Sequence, residues 1–224
     1  MTAKTNGRRP PLPSFKAKAF ALRLMTAAAV TTLAAAPLLS PHAARADASE
    51  PAAQQIDNFD AALIRAMKAG GSAQSRVKIM APAVDETFDV PAMVGFAVGP
   101  SWASTSAEDK AAVIAAFRKF TVASYAKNFS GFDGQKIVVD PNVMTRAPDK
   151  LVKTNMTSNG GGPPVTLGYR MRQSGGTWKV IDVLYNGSIS QLTTQRSDFS
   201  ATLASGGIKA LVAKLEGQTA KLLG

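Results

Sequence analysis

The sequence predicts an α+β fold, in which an antiparallel sheet of about four strands is covered by helices. Apolar residues recur at helical spacing from Ile56 to Asn128, whereas the stretch between Gly134 and Tyr185 alternates with a period near two. The alternation is clearest over residues 165–172, which indicates that one side of the sheet is buried and the other solvated. Helices, then strands in series, then helices are typical of the α+β class.

The first 46 residues predict a secretory signal peptide. Residues 1–46 contain 7 Lys and Arg and no acidic residue, and an apolar run follows the basic head. Ala44-Arg45-Ala46 then places small residues where a signal peptidase cleaves. A retained membrane anchor is the alternative, but the apolar run is short for a membrane span. We therefore expect export, with residues 47–224 forming a single domain.

The charge of the chain does not indicate a nucleic-acid partner. The formal net charge is +11, but removal of residues 1–46 leaves 19 basic and 15 acidic residues. Binding to nucleic acid needs basic residues clustered on the folded domain, and most of this excess lies in the predicted signal peptide. The chain also has no Cys, so an exported domain must be stabilised by its core without disulfides.

Apolar periodicity and helix-end signals predict the helices that precede the sheet. Residues 47–55 are expected to form a frayed lead-in. The first helix is predicted from Ile56 to the glycines at Gly70, and the second over residues 74–81, with Pro82 just beyond its end.

Two further helices follow before the strands. Asp89 is the expected N-cap of a short helix that ends at Gly99, and this helix is apolar nearly all round, which favours burial. Ser106 is the expected N-cap of the longest helix, which ends near Asn128.

The strands and the last helices complete the chain. Strands are predicted over residues 135–144, 150–158, 164–173 and 177–185, with hairpin turns at the glycines of 160–162 and 174–176. Asn186-Gly187 should end the last strand. Two helices are then expected, over residues 188–205 and 208–223, split by Gly206-Gly207.

The residues available for catalysis are few. The only His, His42, lies in the predicted signal peptide, and there is no Cys. A Ser-His-Asp triad, a thiol nucleophile and the commonest ligands of transition metals are therefore excluded from the mature chain. Carboxylate, Lys, Tyr and Ser/Thr chemistry remains.

Three polar features allow a functional and a structural interpretation. Asp85, Glu86 and Asp89 could form a carboxylate pair or a Ca²⁺ site, but acidic residues commonly gather at helix starts, and we favour capping. The glycines of residues 160–162 lack the Lys and helix of a phosphate-binding loop, which favours a hairpin turn. Asp182 lies in the middle of a strand, and we expect a stabilising contact to Arg170 or Arg172.

Several motifs, taken in order, resemble a known family. The chain resembles the periplasmic lipid-binding component MlaC and the related toluene-tolerance proteins. The motifs that carry the resemblance are Val84-Asp85-Glu86-Thr87-Phe88-Asp89, Gly99-Pro100-Ser101-Trp102, Phe117-Arg118-Lys119-Phe120 with Tyr125, Gly134-Gln135-Lys136, residues 165–172, Trp178-Lys179-Val180-Ile181-Asp182-Val183, Gly187-Ser188-Ile189-Ser190, Arg196-Ser197 and Phe199.

The resemblance implies a fold and a function. The fold is a nuclear-transport-factor-like sheet whose covering helices enclose an apolar pocket. The function is that of a soluble periplasmic shuttle, with neither enzymatic activity nor a cofactor or metal. It carries phospholipid between an outer-membrane lipoprotein complex and an inner-membrane ABC transporter with an MCE-domain partner.

One stretch departs from the phospholipid carriers. After Gly187 those proteins usually show an apolar pair and then a Tyr before the Arg, whereas residues 189–196 here read Ile-Ser-Gln-Leu-Thr-Thr-Gln-Arg. This run of residues is similar to the corresponding run in the hopanoid-associated HpnM branch of the family. The ligand is therefore either a phospholipid with two flexible tails or a rigid, sterol-like polycyclic lipid such as a hopanoid.

Apolar residues near the expected pocket are the candidate lipid-binding residues. Each is also compatible with ordinary core packing, and only the resemblance assigns the group to a pocket. Burying one CH₂ contributes about 0.8 kcal/mol, so sheltering a tail of about 16 carbons is worth on the order of 13 kcal/mol. The candidates are Met93, Val94, Phe96 and Val98 from the short helix, Phe117, Phe120 and Tyr125 from the long helix, Leu167, Tyr169, Val183 and Tyr185 from the sheet, and Ile189 from the next helix.

Two other function classes remain open at this point. The first is an enzyme that uses carboxylates or Tyr on a small apolar substrate in a cavity of the sheet. The second is an adaptor that contacts envelope proteins and has a solid core. Lipid that copurifies with the protein would distinguish the carrier from both.

Overall fold

The structure is a computed structural model that describes residues 50–224. The predicted signal peptide of residues 1–46 lies outside the described residues. Helices precede and follow a sheet, as predicted. The helices are α1 Pro51–Ala69, α2 Ala73–Thr87, α3 Val90–Val98, α4 Ala107–Asn128 and α5 Gln191–Leu223, with a short 3₁₀ turn at Gly99–Trp102.

The sheet is antiparallel, which confirms the predicted fold class, but it has six strands rather than four. The spatial order is β1-β3-β4-β5-β6, and β2 pairs with the other end of β3. The two additional strands are short. The strands are β1 Lys136–Val139, β2 Met144–Arg146, β3 Asp149–Thr157, β4 Val165–Ser174, β5 Thr177–Tyr185 and β6 Ile189–Ser190.

The first predicted strand, residues 135–144, is divided into two pieces at Pro141. Proline cannot donate to a strand ladder, and the Asn142 amide donates to the Asp140 carboxylate at 2.9 Å instead. The chain turns there, so β1 pairs with the end of β3 and β2 pairs with its beginning.

One side of the sheet faces the helices. The ring of Tyr169 on β4 lies 6.2 Å from the ring of Phe59 on α1. Tyr169 pairs with Val152 on β3 and with Val183 on β5, and paired residues project to the same side. We call this the helix-facing side. By the two-residue alternation, it also carries Thr154, Leu167 and Tyr185.

Two helix boundaries differ from the predictions. The expected frayed lead-in is wrong from Pro51 onward, because α1 begins there: Pro suits the first turn, and the Glu50 carboxylate accepts a hydrogen bond from the Ala53 amide at 3.2 Å. The second helix does not stop at Ala81 but continues through Pro82 to Thr87. Ala83 and Val84 beyond Pro82 are buried in the core, and their packing offsets the lost helical hydrogen bond.

Three of the acidic side chains singled out in the sequence, those of Asp85, Asp89 and Asp182, have structural partners. Asp89 accepts from the Ala92 amide at 3.0 Å, so it caps α3 as predicted. Asp85 forms an exposed ion pair with Arg118 on α4. The predicted partners of Asp182 are wrong: it accepts from the Ser190 hydroxyl at 2.6 Å and from the Leu192 amide at 3.1 Å.

Arg170 and Arg172 instead bind Asp149, the buried first residue of β3. Burial opposes ionisation of Asp149, but hydrogen bonds from Arg172 and Arg170 hold the pKa of this carboxyl below its usual value. Arg170 and Arg172 of β4 therefore stabilise the beginning of the neighbouring strand β3.

Helix α5 is interrupted where the two final helices were predicted to separate. Gly207 has φ 61° and ψ −156°, which is not helical, and a helical segment lies on each side of it. Within residues 50–224, no helix combines the length and the apolar character required to cross a bilayer.

Candidate functional site

The helix-facing side of the sheet is covered unevenly. Val152 and Tyr169 at its centre are completely buried beneath α1. Leu167, Val183 and Tyr185, on the same side, are only half-buried. The helices therefore seal the centre of this side and leave an accessible apolar region beside it. We call Leu167, Val183 and Tyr185 the apolar margin.

Two of the three aromatic candidates on α4 keep partial exposure. Tyr125 is half-buried, and its ring lies 5.1 Å from the ring of Phe59 and 5.8 Å from that of Phe129. Phe120 is also half-buried and packs against the core. Phe117 differs, because it is fully buried against Phe199 of α5, at 6.4 Å between ring centroids.

The four candidate lipid-binding residues on α3 differ in burial. Met93, Val94 and Val98 are buried in the core. Phe96 is 44% exposed, which corrects the expectation that this helix is buried all round. Phe96 lies two positions after Val94, on the opposite side of the helix, and Arg196 of α5 lies 5.3 Å from its ring.

Ile189 lies in a strand and not in the predicted helix. It belongs to β6, pairs with Tyr185, and is 53% exposed. Asn186 and Gly187 both have positive φ, as a tight hairpin turn requires, and the Ser188 amide donates to the Tyr185 carbonyl. Asn186-Gly187 is the sequence signal for this hairpin, although it was predicted only to end a strand.

A buried polar cluster beside the candidate residues was missed. Asp60 on α1 is only 4% exposed and lies near the hydroxyls of Tyr169 and Tyr125. Burial, reinforced by the charge of Asp57, raises the pKa of Asp60 to about 8, although contact with Tyr169 acts in the opposite direction. The acid is therefore mostly neutral at pH 7. A sequence signal did exist, since Asp60 occupies the fourth position after Ile56 on the apolar stripe of α1.

The two tyrosines of this cluster are also affected by burial. Burial and the neighbouring Asp60 raise the pKa of Tyr125 above its usual range. The same two causes raise the pKa of Tyr169 still more clearly. Both hydroxyls are therefore protonated throughout the physiological range and can donate hydrogen bonds.

A separate cleft lies between α1 and α2. It has a volume of about 180 Å³ and includes Phe59, Arg65, Pro82 and Glu86 in its lining. None of the twelve candidate lipid-binding residues lines it. Within residues 50–224, no group of three His, Cys, Asp or Glu side chains is arranged to hold a metal ion.

These features define an α+β protein with an antiparallel sheet, a helical cover and a partly accessible apolar side on the sheet. The chain belongs to the MlaC protein family, whose model matches residues 57–217.

The fold is similar to that of a phospholipid-binding protein from Ralstonia solanacearum, which was solved in complex with a phospholipid. The TM-score is 0.67 at 22% sequence identity, and the match covers 77% of this chain and 99% of the other. At this identity the similarity establishes the shared fold.

Proposed function

We propose that this protein is a lipid carrier that holds hydrocarbon between the helix-facing side of its sheet and the covering helices. The observation that carries the proposal is the apolar margin. Leu167, Val183 and Tyr185 lie beside fully buried residues of the same sheet side, yet they keep access to their surroundings. An apolar side that helices cover only in part can receive an apolar ligand.

The chemistry of the site fits carriage rather than catalysis. Sheltering a tail of about 16 carbons from water is worth on the order of 13 kcal/mol and requires only apolar walls. Three of the carboxylates singled out in the sequence are engaged elsewhere: Asp85 pairs with Arg118, Asp89 caps α3, and Asp182 holds the start of α5. We therefore propose a protein without enzymatic activity.

Phospholipid is the proposed ligand. Membership of the MlaC family and the bound phospholipid of the Ralstonia protein support it. The proposed setting is the periplasm. Residues 1–46 would direct export and then be cleaved, so that residues 47–224 form the mature lipid-binding domain. There the protein would serve as the soluble component of an Mla-type ABC transport system, between an outer-membrane lipoprotein complex and an inner-membrane complex that contains an MCE domain.

A hopanoid or another sterol-like lipid is the second candidate ligand. Residues 189–196 lack the Tyr that the phospholipid carriers usually show before the Arg, and this supports a carrier of the HpnM type. A bilayer shelters either lipid as well as a protein pocket does, so loading and unloading depend on docking to the membrane complexes in both cases.

The first prediction concerns the apolar margin. Leu167→Arg and Val183→Arg each place a charge where hydrocarbon is proposed to lie, and burying an unpaired charge is strongly unfavourable. We expect both variants to lose the lipid that copurifies with the wild-type protein from its own periplasm. Native mass spectrometry and lipid extraction measure this loss.

Val138→Arg is the matched control, because Val138 is 61% exposed and points away from the helix-facing side. It should retain lipid at the wild-type level. A folded Leu167→Arg or Val183→Arg variant that keeps its lipid would contradict the site. Wild-type protein that never carries lipid would support the adaptor, and a turnover abolished by Asp85→Ala in folded protein would support the enzyme.

A further inference from the structure

The helices cover the helix-facing side of the sheet less and less along its strands. Met171 and Val180 at one end are completely buried, as is Tyr169 in the middle. Val165 on β4 and Met156 on β3, which pair at the other end, are only half-buried. The apolar margin lies toward this second end. The proposed lipid site therefore opens there, and we call this part of the molecule the open end.

The loop between α4 and β1 places an exposed aromatic side chain at the open end. Strand β1 begins with Lys136, which pairs with Thr157 at the end of β3, so residues 129–135 lie beside this end of the sheet. Phe132 in this loop is 40% exposed. The Nζ atom of Lys68 on α1 lies 5.0 Å from the centroid of the Phe132 ring. An exposed ring and a cation therefore lie next to the opening.

A buried arginine joins the ends of α1 and α4 at the open end. Arg76 donates to the Gly71 carbonyl, just after α1, at 2.8 Å and to the Ala126 carbonyl, in the last turn of α4, at 2.6 Å. Lys68 and Lys127 lie in the last turns of these two helices, so they are at the same end of the molecule. A cation at such a position favours the helix dipole, but Arg76 already supplies one. The two lysines are therefore available to a partner.

The open end has an excess of positive charge. Lys68, Lys127 and Lys136 are exposed, and the acidic residue of the loop 129–135 is Asp133. Within residues 50–224, none of these three lysines forms an ion pair. Charge complementarity therefore favours an anionic partner for this surface.

We propose that the open end is a membrane-contact surface that docks on a bilayer containing anionic phospholipids. The Phe132 ring would enter the boundary between headgroups and acyl chains, and the lysines around it would contact the headgroups. The exposed cations that surround the ring are lysines, whereas protein interfaces are enriched in Arg and depleted in Lys. This composition favours a lipid surface over a protein partner.

The inference rests on the proposed lipid site, because that site opens on the same surface. A tail that leaves the site at the open end would pass directly into the bilayer, and exposure of its CH₂ groups to water would be avoided. Docking to the membrane complexes brings the protein to the bilayer, and the contact surface would then orient the opening toward the lipids.

The test measures vesicle binding by cosedimentation. Protein purified from its own periplasm is mixed with vesicles of phosphatidylcholine, either alone or with one third phosphatidylglycerol. Residues 1–46 are basic and apolar, so the intact mass must show that the preparation lacks them. We expect binding to the anionic vesicles to be at least about tenfold tighter at about 0.1 M salt, and most of this preference to be lost at about 1 M salt.

Two variants locate the surface. The double variant Lys68→Gln/Lys127→Gln should bind anionic vesicles about tenfold or more weakly, since each lysine near an anionic surface strengthens binding about fivefold. Phe132→Ser should weaken binding to both kinds of vesicle by about threefold and keep the salt dependence, because it removes apolar contact and no charge. All three side chains are exposed, and Phe132→Ser keeps the test decisive if the double variant does not fold.

Lys119→Gln/Lys209→Gln is the charge-matched control. Lys119 lies two turns before Lys127 on α4, and Lys209 begins the second segment of α5; both are exposed. This variant loses the same net charge and should bind vesicles within about twofold of wild type. An equal loss in the control and in Lys68→Gln/Lys127→Gln overturns the proposed location, because binding would then depend on net charge alone.

Two further outcomes also overturn the proposal. The first is wild-type protein that binds anionic and neutral vesicles equally. The second is wild-type vesicle binding by the Lys68→Gln/Lys127→Gln and Phe132→Ser variants, with lipid delivery lost only to membranes that contain the transport complexes. That result would assign the open end to a protein partner.

Failure of the carrier proposal has a different outcome. Protein that copurifies with lipid but shows no preference for anionic vesicles remains a carrier, and only the membrane-contact surface is refuted. Protein that binds anionic vesicles through Lys68, Lys127 and Phe132 but never carries lipid refutes the carrier and keeps the surface. Lipid extraction from the same preparations distinguishes the two results.

Discussion

Asp182 connects the last long strand to the final helix through its buried carboxylate. It accepts hydrogen bonds from the Ser190 hydroxyl and the Leu192 amide. The Leu192 amide lies in the first turn of α5 and has no hydrogen-bond partner within the helix, so Asp182 supplies one. Negative charge at this end of a helix is also favourable. The residue therefore combines a strand position with the role of a helix cap.

Asp182→Ala should lower the free energy of unfolding by about 2 kcal/mol, because the Leu192 amide would stay buried without its partner. Asp198→Ala, at an exposed position on α5, is the control and should change stability by less than about 0.5 kcal/mol. Urea unfolding followed by circular dichroism measures both. If Asp182→Ala lowered the free energy of unfolding no more than Asp198→Ala does, the Asp182 cap would not stabilise the protein.

The side on which Asp182 projects was not predictable from alternation. The β4–β5 pairing shifts by one residue between Arg170 and Met171, so β5 contains a bulge there. A bulge reverses the alternation, and strict periodicity then fails on one side of it. The predicted stabilising contact of Asp182 is present, but its partners depend on the turn that returns β6 and α5 to this strand.

At the scale of elements, α5 shows how one residue sets the direction of a helix. Gly207 adopts a backbone conformation that glycine tolerates and other residues rarely do, and it divides the helix into two segments. The first segment packs Leu192 and Phe199 into the core, and the second packs Leu211 and Leu215. The change of direction allows both segments to contact the core.

Gly207→Ala should destabilise the protein by about 1–3 kcal/mol, because a Cβ is strained at this φ and ψ. Gly217→Ala is a sensitive control: Gly217 is helical, and a Cβ there would meet no atom within 4 Å. That variant should gain about 0.5–1 kcal/mol from helix propensity. Thermal and urea unfolding would detect the opposite signs, and a gain in both variants would argue against strain at Gly207.

At the scale of the whole molecule, Asp60 links folding to pH. Its pKa of about 8 in the folded protein exceeds the ordinary value of 3.8, so the folded state keeps a proton that the unfolded chain releases. Stability is therefore greatest at low pH with respect to this group, and it falls as the pH rises from about 4 to about 8. The slope is about 1.4 kcal/mol per pH unit.

Asp60→Asn replaces the neutral acid with a group of the same shape that does not titrate. The stability of this variant relative to wild type should rise by about 3 kcal/mol between pH 5 and pH 7. Urea unfolding at both pH values measures the difference, which cancels the titration of all other groups. Asp198→Asn should show almost no such change, and a flat difference for Asp60→Asn would place the folded-state pKa of Asp60 near its ordinary value.

Signals between residues close in the chain predicted much of the molecule. Helical spacing, the caps Asp89 and Ser106 and the glycine turns were sufficient for the main helices and the three long strands β3, β4 and β5, because these features depend on local hydrogen bonds and side-chain periodicity. The sequence contains no Cys, and its one His lies at position 42, before the described residues, so thiol chemistry and a histidine within residues 50–224 are excluded without any structure.

Tertiary packing decided the features that bring distant residues together. The outward position of Phe96 and the cluster of Asp60, Thr154 and Tyr169 each depend on elements far apart in the chain. Periodicity shows that a residue lies on an apolar stripe but not which neighbour it meets. The lipid site proposed here has that origin, because its walls come from a sheet and helices that are adjacent only after folding.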